Sequence, residues 1–121
     1  MQDRPTAAEL LDAVAGFLEE DVAPLLDARL RFHARVAINV LRILQREGEL
    51  GPSQLARQRE VLAALLGRDA EVPELWAELA SAIRDGDFDR REAELLPALR
   101  EITEQKLAIA NPRYTSHDEL A

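Results

Sequence analysis

Apolar residues recur along most of the chain at the spacing of a helix with one buried face, and five segments carry the pattern. The first is expected over about 7–20. Thr6 and Glu9 are spaced as a capping box behind Pro5, and Leu10, Leu11, Val14, Phe17 and Leu18 form its stripe. Pro24 then breaks the run, because it lacks an N–H and crowds the preceding turn. The second segment, about 24–46, is the longest. Leu26, Leu30, Ala37, Val40, Leu41 and Leu44 centre its stripe, and Leu25, Phe32, Val36 and Ile43 widen it to about half the circumference. That is wider than a surface helix needs, which marks this helix as central and touching several others. Ile38 falls on the polar side, beside Arg31, Arg35 and Arg42, where a lone exposed isoleucine is ordinary.

Gly48, Gly51 and Pro52 predict a connection. A third helix follows over about 53–66. Leu55, Leu62, Leu65 and Leu66 line up on it, Gln58 and Arg59 interrupt the face, and Gly67 suits the position after the helix end. The fourth starts near Pro73, a good first-turn residue, with Leu75, Trp76, Leu79, Ala82 and Ile83 inward and Gly86 at its end. The fifth spans about 92–110, with Leu95, Leu96, Leu99, Ile102, Thr103 and Ile109 inward, and stops at Asn111-Pro112. The polar stretches 1–5 and 115–121 are expected to be flexible.

Composition fits this picture. The chain has 121 residues, the size of one domain, and 47% of them are hydrophobic but only 4% aromatic. Its core must be built from Leu, Ala, Val and Ile. The expected architecture is therefore an all-α, single-domain bundle over residues 1–121, of about five helices, with the second and fifth central. Net charge is −8, which argues against nucleic acid and against an anionic membrane surface as partner. There is no cysteine, so disulfides and thiolate chemistry are excluded. No signal peptide or membrane span is evident in the hydropathy, and a cytoplasmic protein is the expectation.

Four cations break the apolar stripes. Arg29 and His33 fall inside the arc of the second helix, Lys106 near the centre of the stripe of the fifth, and Arg59 on the face of the third. Asp21, which extends the first stripe, is the nearest matching carboxylate. An unpaired buried charge is too costly to persist. These groups therefore predict one of two things: an internal network, such as Asp21 with Arg29, or a pocket for a carboxylate or phosphate. Long cations also reach the rim of a stripe.

Other chemistry is thin. Asp85, Asp87 and Asp89 alternate like the start of a calcium loop, but Arg90 and Leu96 stand where such a loop needs Gly and Glu. The bland reading is Gly86 ending one helix and acidic residues beginning the next. The only histidines are His33 and His117, without ligand spacing. Neither a Gly-rich phosphate loop nor a nucleophile elbow is present. No catalytic residue, cofactor or metal is expected.

Three segments together carry a resemblance: Gln2–Leu11, Phe32–Asn39 and Lys106–Tyr114. The chain resembles a bacterial family of small helical domains of unknown function, encoded beside aminoglycoside-phosphotransferase-like kinases and acyl-CoA dehydrogenases. The resemblance implies a setting in acyl-CoA or hydroxy-acid metabolism, with a phosphotransferase-like kinase and an acyl-CoA dehydrogenase as partners, and assigns no residue a role. Two of the three segments hold His33 and Lys106. The function expected is a non-catalytic accessory or interaction protein. The alternative is a small-molecule binding protein or enzyme holding an anionic metabolite at Arg29, His33, Lys106, Arg59 and Asp21.

Overall fold

The structure, a computed structural model, describes residues 4–114; the expectations for residues 1–3 and 115–121, His117 among them, lie outside the described residues. Among the described residues all regular structure is helical: α1 (Ala7–Phe17), α2 (Ala28–Leu66), α3 (Val72–Arg84) and α4 (Glu92–Ala110), with a π-helical turn, Leu18–Val22, and a 3₁₀ turn, Ala23–Leu25, between α1 and α2. The all-α class is as expected. The helix count is not, because the second and third expected helices are one continuous helix of 39 residues.

Gly48, Gly51 and Pro52 do not interrupt α2. A proline inside a helix loses one hydrogen bond and crowds the carbonyl four residues back, and it disfavours the α region for its predecessor through that residue's Cβ. Here the predecessor is Gly51, which has no Cβ, and a Cβ added there would meet only the flexible Glu47 side chain, at 3.8 Å. The glycine that reads as a breaker is what lets the proline sit in the helix. The chain divides into two compact units at this point, Met1–Gly51 and Pro52–Ala121.

The first unit is an α1–α2 hairpin. Thr6 and Glu9 form the expected capping box: the Glu9 N–H donates to Thr6 Oγ1 and the Thr6 N–H to Glu9 Oε1, both at 3.2 Å. Pro24 ends the first helical run, and α2 starts later than expected. Asp27 caps it, accepting from the Leu30 N–H at 2.9 Å, an ordinary N-cap role for aspartate. The two helices run antiparallel: Arg42 bonds Asp12 at 2.5 Å, and Arg31 donates to the Ala23 carbonyl at 3.2 Å.

The second unit has the ordered core. The C-terminal half of α2 supplies Val61, Leu62 and Leu65, α3 supplies Val72, Leu75 and Leu79, and α4 supplies Leu95 and Ile102. Phe88, from the α3–α4 loop, completes it at 4% exposure. Both helix ends that precede a loop use a left-handed glycine, Gly67 (φ 71°) and Gly86 (φ 87°). At Gly86 two bonds wrap the end of α3, Gly86 N–H to Ile83 at 3.1 Å and Asp87 N–H to Ala82 at 3.0 Å, the paired closure typical of a glycine after a helix. The turn carries Phe88 back into the core. Arg91 covers it, with its guanidinium carbon 4.5 Å from the ring centroid and a bond of 3.2 Å to the Leu65 carbonyl.

Candidate functional site

No polar or charged residue among the described residues is buried, so the inward cations expected from the helical wheels do not exist as a buried set. Arg29, His33, Asp21 and Lys106 are exposed, and Arg59 is half-buried. The expected Asp21–Arg29 pair does not form: among the described residues neither has an ion pair. Arg59 is instead bidentate with Asp69, at 2.7 and 3.2 Å, and reaches Glu71 at 3.6 Å. Its bonds to Asp69 hold that carboxyl below its ordinary pKa. Lys106 lies over the Trp76 ring, 5.7 Å from the centroid. Trp76 in turn donates from Nε1 to Gln58 at 2.9 Å, which explains why Gln58 interrupts an apolar face. A groove of about 700 Å³ beside Arg59 is lined by Pro52, Leu55, Ala56, Ala63, Val72 and Pro73. With Asp69 and Glu71 already on its guanidinium, Arg59 offers that groove little charge for an anion.

The most informative arrangement lies in the first unit, and it inverts the expected wheel. Ile38, assigned to the polar side of the second helix, is 7% exposed. Of the residues assigned to the buried stripe, Leu30, Val36, Val40 and Leu44 are 40–49% exposed and Phe32 63%, while Leu26, Leu41 and Ile43 are half-buried. The same holds on α1, where Leu10, Val14 and Phe17 are 50–57% exposed. The buried residues of this unit, among those described, are Ala15, Ala23 and Ile38. The expectation that this helix is the packed centre of the bundle is therefore corrected.

The inversion has a local cause. Pro24 disrupts the backbone ladder between the helices, and Arg31 caps the turn by donating to the Ala23 carbonyl at 3.2 Å and the Leu26 carbonyl at 2.8 Å. Arg42, on the same side, is anchored by Asp12 and Gln45. The arginine face of α2 is thus drawn toward α1, and small residues such as Ala15 allow the close approach. At 100° per residue, Phe32, Val36, Val40, Leu44 and Leu30 then occupy an open arc of roughly 160°. On α1, Phe17, Leu10 and Val14 form a narrower open arc. Ile38, Arg31 and Arg42 are turned toward α1 and Ala15 and Asp12 toward α2, so each arc points away from the other helix and the wider one is an open face of α2 alone. Arg29 and His33 stand inside the wider one.

Charge divides sharply between the two helices. Residues 7–22 carry Glu9, Asp12, Glu19, Glu20 and Asp21 and no cation, whereas residues 28–46 carry Arg29, Arg31, Arg35, Arg42 and Arg46 and no carboxylate. Sequence reasoning found the apolar arc and gave it the wrong destination. The arc's excess width and the run of arginines without carboxylates were the available signals.

Among the described residues, no three His, Cys, Asp or Glu side chains are grouped to hold a metal ion, and no helix is long and apolar enough to cross a membrane. No curated protein and no solved structure matches the chain significantly. One family model does match, over residues 24–114, which covers α2, α3 and α4. The chain belongs to the family described as Domain of unknown function (DUF6285).

Proposed function

We propose that this chain is a non-catalytic interaction protein, and that it associates with protein partners through the open apolar face of α2. The observation that carries the reading is the exposure of that face. Leu30, Phe32, Val36, Val40 and Leu44 on α2 are all at least 40% exposed, whereas among the described residues of this unit Ala15, Ala23 and Ile38 are buried and Leu26, Leu41 and Ile43 half-buried. A helix pair cannot gain stability from apolar residues it leaves in water. A contiguous apolar patch of this size on a monomer marks an interaction site. Arg29 and His33 within the arc suit carboxylates carried by the partner.

The partner classes suggested by the resemblance are a phosphotransferase-like kinase and an acyl-CoA dehydrogenase, in acyl-CoA or hydroxy-acid metabolism. The test is capture of such a kinase and dehydrogenase from the same host by the immobilised chain, repeated with Val36→Glu and Val40→Glu. Capture lost in both variants supports the reading. Capture of neither enzyme removes the kinase and dehydrogenase as partners. Capture unaffected by both substitutions removes the face as the site.

A further inference from the structure

We infer that the open face of α2 is one half of an antiparallel helix seam, closed by the same stretch of α2, residues 29–47, turned end for end about a two-fold axis level with residue 38. This rests on reading the face as a protein-binding surface. α1 takes no part in the contact, because Ile38, Arg31 and Arg42 turn the opposite side of α2 toward it.

The order of residues along the face selects the occupant. Arg29, His33, Val36, Val40, Ile43 and Glu47 follow one another at alternating steps of four and three, the spacing of the seam that two packed helices share. At 100° per residue these positions stay within an arc of about 80°, a straight stripe along the middle of the open face. Arg29 and Glu47 lie about five full turns apart, so they close the two ends of the stripe on one line, about 27 Å from each other. Both are exposed, and neither has an ion pair among the described residues. The stripe is therefore basic at one end, apolar in the middle and acidic at the other.

Such a stripe needs a partner of the reverse order. A uniformly acidic helix satisfies Arg29 and is repelled by Glu47. A parallel copy sets Arg29 against Arg29 and Glu47 against Glu47. An antiparallel copy centred on residue 38 sets Arg29 against Glu47 and Val36 against Val40, with His33 against Ile43, and the two-fold axis repeats each pairing. The flank of the stripe agrees. Leu30 and Leu44, 40% and 47% exposed, come beside each other across the seam, and the small Ala37 meets its own counterpart near the axis. The apolar side chains that α2 leaves in water thus cover one another without setting like charges together.

The experiment is sedimentation velocity of the full chain across a concentration series, with far-UV circular dichroism to check the helices. The wild type is expected to shift from the chain mass of 13.5 kDa toward twice that mass as concentration rises. Arg29→Glu and Glu47→Arg each set like charges together at both ends of the seam, and each is expected to weaken self-association at least about tenfold. The double variant restores both pairs with their signs exchanged and is expected to recover the wild-type association. A wild type that stays monomeric throughout overturns the inference, whatever the variants do. So does a dimer indifferent to both single changes, which uses another surface, and so does a double variant as weak as the single ones, which removes the antiparallel pairing. A monomer that still captures the kinase or dehydrogenase in a Val40-dependent way overturns the seam alone and leaves the interaction reading standing. A monomer that captures neither removes both.

Discussion

Ile38 and Val40 sit two residues apart on α2 and face opposite ways, Ile38 at 7% exposure and Val40 at 49%. The buried one is flanked by arginines and the open one by leucine, valine and histidine neighbours on the wheel. Truncating each should therefore have effects opposite to those expected from hydrophobic patterning. Ile38→Ala is expected to destabilise the protein by about 2–4 kcal/mol, the usual cost of a large-to-small core change. Val40→Ala is expected to stay within about 0.5 kcal/mol in dilute protein. Urea denaturation of both variants at low concentration checks the pair.

Gly86 adopts φ 87°, and a Cβ there would meet Asp89 Oδ2 at 3.0 Å. Gly86→Ala is expected to cost about 1–2 kcal/mol through left-handed strain alone, with loosening of the loop that seats Phe88. Thermal melts of Gly86→Ala beside Gly16→Ala provide the comparison, since a Cβ at Gly16 meets nothing within 4 Å and that helical position should tolerate or favour alanine.

Lys106 lies on the surface over Trp76 and does not sit in a charged core. Lys106→Met is expected to change stability by less than about 1 kcal/mol, the scale of an exposed cation–π contact. A loss of several kcal/mol in a thermal melt would show a buried network that the geometry does not contain.

Two bidentate pairs of the second unit should contribute to the acid side of the stability curve. Arg59 donates to Asp69, and Arg57 donates to Glu101 at 2.6 and 3.0 Å; each pair holds its carboxyl below the ordinary value. A carboxyl depressed in the folded state adds stability above its unfolded pKa and loses it as pH falls through the folded one. The melting temperature is expected to be flat from about pH 7 to 5 and to fall below about pH 4, where free carboxyls titrate. The double variant Asp69→Asn, Glu101→Gln should show a shallower fall. Both pairs are exposed and screened, so the effect should also shrink in high salt.

The local rules were legible in the sequence wherever a residue's role depends on its neighbours in the chain. Thr6 and Glu9 announced the start of α1, Gly67 and Gly86 the ends of α2 and α3, and Leu75 and Leu79 the buried side of α3. Gly51-Pro52 misled, because a glycine before proline removes the steric conflict that would otherwise stop a helix. The site misled for a longer-range reason. A helical wheel shows which residues share a side of α2 and cannot show whether that side meets the chain's own core or something outside it. Arg31 decided the matter by bonding the Ala23 and Leu26 carbonyls of the turn, a contact that periodicity does not encode. Phe88 was missed because one apolar residue in an acidic loop has no period at all.

The central claim is that Val40 and its neighbours form an interface and Ile38 the hairpin's own core. Because the chain contains no cysteine, a single introduced thiol reports on one position, and thiol reactivity follows accessibility. The most direct measurement is the maleimide labelling rate of Val40→Cys and Ile38→Cys in dilute protein. Val40→Cys is expected to label quickly, while Ile38→Cys labels slowly. A slow rate at Val40→Cys with rapid labelling at Ile38→Cys would contradict the account and restore the apolar arc of α2 to the interior of its own chain.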